Sequence, residues 1–436
     1  MAKRVKILII GDVIYDQFVY GKVTRLSKEA PVPILDIAHA MFGYGGAGNV
    51  AQNVSTLSAD PILLSVVGPD VYGQALKAAY PLLIVEPTRV TSVKTRFVAD
   101  HSQYSTHLLR ADQETATPIS IESQNELIEL YRKYLPEVDV VVVSDYAKGV
   151  CTDAILHDVI GEAKAAGKFV IVDPKRRDWS AYRGATLITP NEEEFNQSSD
   201  FANHNLFTYI LVTRGENGMM LFVPGLEVIA IPAEPVQVAD VSGAGDTVVA
   251  MMARLMTLNV LDMKTAAEWA NVAGALAVSK KGTSVVHMDE VMAYRWRKEG
   301  HTIALTNGCF DKLHTGHIRV LEEAQKAASK VVVLVNSDAS VKRLKGDDRP
   351  VNDQNVRTEN IQKLGMADMV EIFEEDTPIE HIRRIKPDII VKGGDYEAEK
   401  VVGHDFVKDV IIVPLVDKIP VDTKDLKEEE LLTYSK

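Results

Sequence analysis

A glycine-rich segment in the middle of the chain has the residue types of a phosphate-binding site. Residues 242–245, Ser-Gly-Ala-Gly, directly precede a long apolar helix pattern over residues 248–258. Backbone N–H groups at a helix start can point at a phosphate, and the helix dipole favours its negative charge. Asp246 falls in the first helical turn, where its carboxylate could accept the proton of an attacking hydroxyl. For this motif taken alone, a simple helix cap is the alternative.

A second motif, His314-Thr315-Gly316-His317, also follows a predicted strand and opens a predicted helix. Two imidazoles at a helix start can donate hydrogen bonds to phosphate oxygens and stabilise the charge of a departing pyrophosphate. The alternatives are a zinc site or an incidental pair of histidines. Zinc would need further ligands at suitable spacing, and the neighbouring sequence offers none.

Elements of an α/β fold are predicted to position the first motif. Apolar runs of strand length alternate with helical patterns, as expected for a parallel sheet covered by helices. The predicted strands are residues 6–10, 138–143, 168–172, 185–189 and 209–213, and the predicted helices include residues 123–134, 153–166, 248–258 and 264–278. Short β-like pieces near residues 31–37 and 92–109 predict a small accessory sheet beside the main one.

A second, smaller α/β region follows a charged stretch at residues 289–301. Its predicted strands are residues 302–305, 331–335, 369–373 and 388–391, and its predicted helices are residues 318–328, 353–364 and 378–385. The charged stretch predicts a short helical connector. We therefore expect two domains, residues 1–290 and residues 301–436.

The composition is that of an ordinary folded protein, with 46% hydrophobic and 25% charged residues in a chain of 436. The net charge of -13 argues against a general nucleic-acid or anionic-membrane binder, because such proteins concentrate positive charge. The apolar run at residues 5–10 is too short for a signal peptide, and no run approaches a membrane span. Cys151 and Cys309 cannot form a disulfide framework, so a cytoplasmic location is expected.

Four ordered motifs resemble the signatures of the ribokinase-like, or PfkB, carbohydrate kinases. They are residues 45–51, 189–194, 212–218 and 240–247. The resemblance implies a ribokinase-like fold and an ATP-dependent sugar kinase in which Asp246 is the general base. Its anion hole for the transferring phosphoryl group would be formed by Gly243, Ala244 and Gly245.

The same resemblance implies binding residues for both substrates of the kinase. The ATP-binding set is Asn191, Glu194, Thr213, Arg214 and Gly215. Glu194 would organise Mg²⁺ indirectly. The sugar-binding set includes Asp12, Asp16, Gly45, Gly46 and Asn49. ATP and Mg²⁺ are the implied cofactors, with K⁺ as a further candidate.

Three other segments, residues 27–33, 144–149 and 173–175, resemble the heptose-phosphate kinase branch of this family. A substrate that already carries a phosphate needs cationic partners. The candidates are Lys94, Arg96, Arg110, Lys148 and Lys175. Among them Lys148 and Lys175 are the preferred pair, and Arg110 completes the predicted sugar-phosphate-binding set.

Residues 306–317 resemble the signature of the nucleotidylyltransferases in their cytidylyltransferase-like branch, which implies a Rossmann-like second domain. The downstream segments that resemble the sugar-phosphate adenylyltransferases of this branch are residues 335–338, 345–351, 357 and 391–396. In this resemblance His314 and His317 bind the triphosphate while the substrate phosphate attacks the α-phosphorus of ATP. The implied nucleotide-binding set is Asn307, Gly308, Phe310, Asp311, Gly316, Lys345, Lys392, Gly393 and Asp395.

Together the resemblances imply a bifunctional enzyme of ADP-heptose synthesis for the bacterial lipopolysaccharide core. The first domain would phosphorylate D-glycero-D-manno-heptose 7-phosphate at O1. After a separate phosphatase removes the 7-phosphate, the second domain would transfer AMP from ATP to heptose 1-phosphate and release pyrophosphate. The expected partners are sugar phosphates and ATP, without nucleic acid or membrane, and the expected assembly is a homodimer formed through the accessory sheet.

The C-terminal segment departs from the adenylyltransferase pattern. This family has a Ser/Thr-rich helix start there, whereas residues 418–426 keep only Thr423 and add Asp422 where a phosphate should approach. Two alternatives therefore stay open. One is a kinase for another sugar phosphate fused to a polyol-phosphate cytidylyltransferase. The other, motivated by this segment, is a sugar-phosphate or nucleotide sensor, in which the second domain binds its ligand without catalysis.

Overall fold

The computed structural model describes residues 5–100, 105–198, 206–258, 262–394 and 396–421. The chain divides into two compact units, Ala2–His287 and Met288–Lys436. Both are α/β units, as the alternating sequence pattern predicts. No helix in the described ranges combines the length and the apolar character needed to cross a lipid bilayer.

The first unit contains fourteen strands and seven helices within its described residues. The strands are β1 (Lys6–Gly11), β2 (Val13–Leu26), β3 (Pro33–Gly46), β4 (Asp60–Leu64), β5 (Val66–Val67), β6 (Ile84–Val85), β7 (Val93–Asp100), β8 (Ser105–Gln113), β9 (Val140–Ser144), β10 (Phe169–Asp173), β11 (Leu187–Ile188), β12 (Tyr209–Thr213), β13 (Met219–Phe222) and β14 (Ile229–Ile231). The helices are α1 (Ala47–Thr56), α2 (Val71–Ala79), α3 (Ile121–Tyr134), α4 (Asp153–Ala165), α5 (Glu192–Gln197), α6 (Ala244–Met256) and α7 (Met263–Val278).

The main sheet of this unit has the strand order β14-β13-β12-β11-β10-β9-β1-β4. Six neighbouring strands of this sheet, β4, β1, β9, β10, β11 and β12, pair in parallel. Strands β13 and β14 continue the sheet with antiparallel pairing. The aliphatic runs at residues 7–10 and 140–143 are fully buried, as expected for parallel strands with helices on both faces. Because β1 lies between β4 and β9, the chain order reverses there and leaves a crevice at the carboxyl ends of β1 and β9.

The accessory sheet has the order β3-β2-β7-β8 and is larger than the sequence predicts. β2 and β3 each contain 14 residues and form one long antiparallel pair. The alternation of apolar residues in β2 is broken by polar ones such as Asp16 and Gln17, so the pattern hides the strand. The first half of β2 is mostly buried and its far end, at residues 22–26, is mostly exposed.

The second unit contains five strands and five helices within its described residues. The strands are β15 (Ile303–Gly308), β16 (Lys330–Asn336), β17 (Met369–Phe373), β18 (Ile389–Gly393) and β19 (Asp409–Val413). The helices are α8 (Met288–Lys298), α9 (Thr315–Ala327), α10 (Asp338–Lys345), α11 (Gln354–Lys363) and α12 (Ile379–Ile385). The strands form one fully parallel sheet with the order β17-β16-β15-β18-β19. This doubly wound order confirms the predicted Rossmann-like fold and places a crevice between the ends of β15 and β18.

Helix α8, in the stretch for which the sequence predicts a connector, packs within the second unit. Asp289 on α8 accepts hydrogen bonds from Arg384 and pairs with His381, both on α12, at 3.0 Å each. Although Asp289 is buried, these two partners lower its pKa to about 2. These two contacts therefore fix the start of α8 against α12.

Among the described residues of the second unit, Arg357 is the most deeply buried charged side chain, at 0% exposure. Its guanidinium donates to the Asp338 carboxylate at 2.8 Å and to the Asn352 carbonyl at 3.0 Å. It also donates to the carbonyl of Cys309, in the loop after β15. One cation thus ties α11 to two loops and to the start of α10.

We expect Arg357→Met to lower the free energy of unfolding of the second unit by about 3 kcal/mol, because three hydrogen bonds from one fully buried guanidinium are lost and their partly buried acceptors keep no donor in its place. Urea denaturation of the whole chain measures the change, and hydrogen exchange of the β15 and β16 amides identifies the unit that opens. The control is Arg319→Met, since the Arg319 side chain is 52% exposed and its loss should cost below about 0.5 kcal/mol. Equal effects of the two substitutions would contradict a structural role for Arg357.

Candidate active sites

The Asp246 carboxylate lies buried at the start of α6, beside the crevice of the first unit. It is 3% exposed. One oxygen accepts from the Asn49 amide at 2.8 Å and the other from the Tyr146 hydroxyl at 2.8 Å. Burial raises the pKa of Asp246 to about 6, and the two hydrogen bonds limit that rise. The carboxylate is therefore mostly ionised at neutral pH and is a stronger proton acceptor than an ordinary aspartate.

The predicted anion hole, Gly243 to Gly245, forms the first turn of α6. The Thr247 N–H donates to the Gly243 carbonyl at 3.1 Å, and the amides before it, at the helix N-terminus, have no acceptor within the helix. Gly243 has a φ of 79°, and a Cβ there would lie 2.5 Å from the Asn49 amide nitrogen. Only glycine allows this turn and the Asn49 contact together.

Asn49 reaches Asp246 because the chain passes closely over the beginning of β2. A Cβ on Gly45 would lie 2.4 Å from the Asp16 carboxylate, and one on Gly46 would lie 2.4 Å from the Asp12 carbonyl. Asn53, one turn along α1, donates to the Asn49 side-chain oxygen at 3.1 Å. This bond orients the Asn49 amide so that its NH₂ group faces the Asp246 carboxylate.

Asp12, predicted to contact the sugar, instead binds backbone groups. Its carboxylate is 1% exposed and accepts the N–H groups of Tyr146, Lys148 and Val150 at 2.9, 2.9 and 3.0 Å. It therefore shapes the loop after β9 that carries Tyr146. Asp12 also lies near Asp145 and Cys151 in a group with metal-ligand geometry, but these backbone donors already occupy its oxygens.

The predicted cationic residues of the sugar-phosphate site are largely paired with carboxylates. Lys148 pairs with Glu114, and Lys175 pairs with Glu194 at 2.8 Å. Two further ion pairs join Arg96 to Asp16 at 2.6 Å and Arg110 to Asp112 at 3.0 Å. Asp16 is 4% exposed, and it lies at the crevice beside Gly45, as a sugar contact requires.

The predicted ATP residues lie at the carboxyl ends of β11 and β12. Asn191 and Glu194 form a reciprocal cap on α5, with bonds of 2.8 and 3.0 Å between side chain and backbone. Thr213 pairs with Asn191 through an isolated β-bridge. Arg214 donates to Glu192 at 2.9 Å, and Gly215 turns the chain with a φ of 52°. These five predicted residues thus form one edge of the crevice.

The carboxylates of Asp173, Asp246 and Glu194 lie close enough in this crevice for their charges to interact. Burial, with repulsion from Asp246 and Glu194, raises the pKa of Asp173 well above its usual range. Mg²⁺ prefers carboxylate and phosphate oxygens, and a bound cation would relieve this repulsion. Asp173, at the end of β10, and Glu194 are the residues that would hold it, directly or through water.

The second unit has a cavity of about 360 Å³ at the crevice between β15 and β18. It is lined by nine of the predicted residues: Asn307, Gly308, Phe310, His314, Gly316, His317, Lys345, Lys392 and Gly393. The lining also includes Tyr396 and Lys418, which are not in the predicted nucleotide-binding set. The structure therefore brings together the greater part of the predicted nucleotide-binding set.

The two histidines are held as a stacked pair at the start of α9, with ring centroids 3.9 Å apart. The His314 Nδ1 accepts the Gly316 N–H at 3.1 Å, and the His317 Nδ1 accepts the His314 N–H at 3.4 Å. Burial lowers the pKa of both rings, and that of His317 falls to about 4. Both rings are therefore neutral at pH 7 and carry their proton on Nε2, which makes that atom a hydrogen-bond donor.

Lys392 joins the ends of the two strands that form the crevice. Its ammonium donates to the Asn307 backbone carbonyl and to the Asn307 side-chain oxygen, both at 2.9 Å. Burial lowers the pKa of Lys392 to about 8. The positive charge is thereby fixed at the cavity wall, where a phosphate would be bound.

Asp311, predicted to frame the nucleotide, faces a neighbouring loop and does not line the cavity. Its carboxylate accepts the N–H groups of Val351 and Asn352 at 2.9 Å each and pairs with Arg349 at 3.0 Å. These donors hold its pKa below its usual range. Asp311 thus positions the loop over residues 349–352. Asp395 lies outside the described residues.

The C-terminal segment approaches the histidine pair before the described residues end at Val421. The Thr315 N–H donates to the Ile419 carbonyl and the Val421 N–H to the Leu313 carbonyl, both at 3.0 Å. This pairing holds Lys418 at the cavity, where its charge lowers the pKa of both histidines. Asp422 and Thr423, on which the predicted departure rests, lie outside the described residues.

Tyr146, Asp173 and Lys418 are the functional candidates that sequence reasoning missed. Tyr146 and Asp173 fall within segments quoted for the heptose-kinase resemblance, which was the available signal. Lys418 lies in the C-terminal segment, where the sequence was compared with the family only for its Ser and Thr residues. In each case the role depends on a partner distant in sequence.

Comparisons of structures and sequences agree with both folds. Arabidopsis thaliana ribokinase, solved with ribose and ATP, matches 66% of this chain and 98% of its own, with a TM-score of 0.52 at 18% identity. Escherichia coli phosphofructokinase-2, solved with potassium, matches 66% of this chain and 97% of its own, with a TM-score of 0.51 at 18% identity. At these identities the likeness establishes the fold.

Residues 5–289 match the pfkB family carbohydrate kinase model, and residues 305–426 match the cytidylyltransferase-like model. A relative named Bifunctional protein HldE from Rhodopseudomonas palustris strain BisA53 is 42% identical, covering 92% of this chain and 91% of its own. The HldE protein of Bradyrhizobium diazoefficiens is 44% identical, covering 92% and 90%. The chain therefore belongs to the family of the bifunctional HldE proteins, enzymes that join a pfkB-type carbohydrate kinase to a cytidylyltransferase-like nucleotidyltransferase.

Proposed function

We propose that the first unit transfers the γ-phosphoryl group of ATP to O1 of D-glycero-D-manno-heptose 7-phosphate. The observation that carries this proposal is the buried Asp246 carboxylate beside the free amides of the first turn of α6. Phosphoryl transfer from ATP to an alcohol needs a proton acceptor for the hydroxyl and donors for the phosphoryl oxygens. Both occur at the start of one helix.

In this proposal Asp246 accepts the proton of the O1 hydroxyl as that oxygen attacks the γ-phosphorus. The amides of Gly243, Ala244 and Gly245 donate to the phosphoryl oxygens, where negative charge must be stabilised. Asn49 and Tyr146 keep the carboxylate in place and ionised. Asp16 and Asn49, with the closely approaching Gly45 and Gly46, bind sugar hydroxyls.

ATP binds along the adjoining strand ends, where its contacts are Asn191, Glu194, Thr213, Arg214 and Gly215. Asp173 and Glu194 would hold Mg²⁺, which when bound would neutralise charge on the phosphates. K⁺ remains a candidate for this chain, motivated by the phosphofructokinase-2 solved with potassium. Arg110, Lys148 and Lys175 remain proposed contacts for the sugar phosphate, although each already has a carboxylate partner.

For the second unit we propose adenylyl transfer from ATP to heptose 1-phosphate, giving ADP-heptose and pyrophosphate. The neutral His314 and His317 rings donate from Nε2 to the triphosphate, and Lys345 and Lys392 supply positive charge. The substrate phosphate is itself the nucleophile, so no protein nucleophile is needed. A separate phosphatase must act between the two reactions, because the first product carries two phosphates.

The second candidate function, a sensor without adenylyl transfer, is motivated by the altered segment at residues 421–424. The stacked histidines and three lysines of the cavity suit a triphosphate under both hypotheses, so pyrophosphate release is the property that separates them. We also propose, from the family resemblance alone, that the enzyme is a cytoplasmic homodimer.

Replacing the proposed base should abolish most of the kinase activity. We expect Asp246→Asn to lower the rate of heptose 7-phosphate phosphorylation by roughly two to four orders of magnitude, since the amide cannot accept the proton. The affinity for ATP should change little. Turnover is measured as ADP formed, and ATP binding by calorimetry. Near-normal turnover would exclude Asp246 as the base, and adenylyl transfer by the same sample controls for protein quality.

The pH profile of the kinase should depend on Tyr146. Its hydroxyl stabilises ionised Asp246, so Tyr146→Phe should raise the pKa of that carboxylate and move the acidic limb of kcat/KM upward by about one pH unit. Activity requires the ionised base and therefore falls as the pH drops through its pKa. The substrate phosphate titrates in the same range, so the shift between wild type and variant is the readout. Coincident acidic limbs would contradict this role.

Incubation of the wild-type enzyme with heptose 1-phosphate and either ATP or CTP, in the presence of Mg²⁺, tests the second unit. We expect ADP-heptose by mass spectrometry and pyrophosphate release with ATP. Preference for CTP would favour the cytidylyltransferase alternative. ATP binding without pyrophosphate release would favour the sensor. His317→Asn is the matched variant, and loss of product with retained kinase activity locates the reaction in the second unit.

A further inference from the structure

Charged side chains form two rows across the accessory sheet, on strands β2, β7 and β8. The strand register pairs Asp16 with Lys94 and Lys94 with Asp112. Two residues along, the register pairs Arg96 with Arg110. Residues two apart on a strand point to the same face, so these charges share one face of the sheet.

Ion pairs neutralise this face with one exception. Arg96 pairs with Asp16, Arg110 pairs with Asp112, and Lys148, in the loop after β9, pairs with Glu114. Each of the three carboxylates thus has its own cation. Lys94 is the cation of this group that has no carboxylate within 4.0 Å in the described part of the chain. The cluster therefore carries one surplus ammonium group.

Lys94 lies at the reaction site of the kinase. Its ammonium is 5.6 Å from the centre of the Tyr146 ring, and the hydroxyl of the same tyrosine donates to Asp246. The positive charge of Lys94 acts on Asp246 and lowers its pKa. Lys94 is half-buried, and this burial lowers its own pKa. A half-buried ammonium group without a contacting anion is stabilised when a ligand places an anionic group beside it.

We propose that Lys94 binds the phosphate that the sugar substrate already carries, and that it thereby selects phosphorylated over unphosphorylated sugars. This inference rests on the proposed kinase function of the first unit. Lys148 and Lys175, although preferred from the sequence, would first have to break their ion pairs with Glu114 and Glu194. Arg96 is likewise held by Asp16. Lys94 needs no such exchange.

The test compares heptose 7-phosphate with unphosphorylated heptose as substrates of wild type, Lys94→Met and Lys94→Arg. We expect Lys94→Met to raise KM for heptose 7-phosphate by about ten- to a hundredfold, the size of one lost hydrogen bond to a charged group. KM for ATP should change little. Because Lys94 also lowers the pKa of Asp246, both sugars are compared at a pH well above that pKa, where the carboxylate is ionised in every variant and turnover of unphosphorylated heptose should change little. Lys94→Arg should restore much of the affinity. Lys22→Met, an exposed lysine on the same sheet, is the control and should match wild type.

An unchanged KM for heptose 7-phosphate would overturn the proposal. So would equal losses on both sugars, which would assign Lys94 to the catalytic base, or a rise confined to KM for ATP, which would assign it to the nucleotide. If Lys94→Met fails to fold, Lys94→Gln carries the same expectation. A wild-type enzyme that does not phosphorylate heptose 7-phosphate would overturn the proposed kinase function itself, and this result is separate from any effect of the variants.

Discussion

A carboxylate held away from water determines much of the arrangement of the first unit. Without donors, burial would drive Asp246 towards its neutral form, which cannot accept a proton. The two donors come from α1 and from the loop after β9, whereas Asp246 itself is on α6. These three elements must therefore meet within hydrogen-bond distance. The glycines at residues 45, 46 and 243 permit that approach, and Asp12 holds the loop that carries Tyr146.

The second unit manages phosphate chemistry in a different way. Its helix start carries two neutral imidazoles where the first unit has glycine amides and a carboxylate. No proton has to be removed from a phosphate nucleophile that is already ionised, so a base is unnecessary. Donors and positive charge are sufficient, and Lys392 supplies charge from the end of β18. Each unit nevertheless has its site in the crevice of its own doubly wound sheet, at the point where the strand order reverses.

The sequence predicted the features that depend on neighbouring residues. Gly243, Asp246, His314 and His317 lie in short motifs whose backbone geometry is local, so their positions followed from the chain itself. Ion pairs were not predictable in this way, because Arg96 and Asp16 are 80 residues apart and meet only through strand register. The length of β2 was also hidden, since a strand that is half buried and half exposed lacks a regular apolar alternation.

The same distinction explains the roles that differ from expectation. Asp12 and Asp311 were expected to contact ligands because the motifs that contain them resemble those of the two families. Each instead accepts backbone N–H groups from a loop far along the chain. A carboxylate near a crevice can serve either purpose, and only the folded loop decides between them.

The junction of β3 and α1 couples two parts of the kinase mechanically. β3 ends at Gly46 and α1 begins at Ala47, with no intervening loop. The accessory sheet is thus connected directly to the helix that carries Asn49, and the chain changes direction at Gly46, which has a φ of 56°. A tilt of the sheet on a sugar would alter the hydrogen bond from Asn49 to Asp246. The position of β3 and the contacts of the Asp246 carboxylate are therefore linked through one short stretch of backbone.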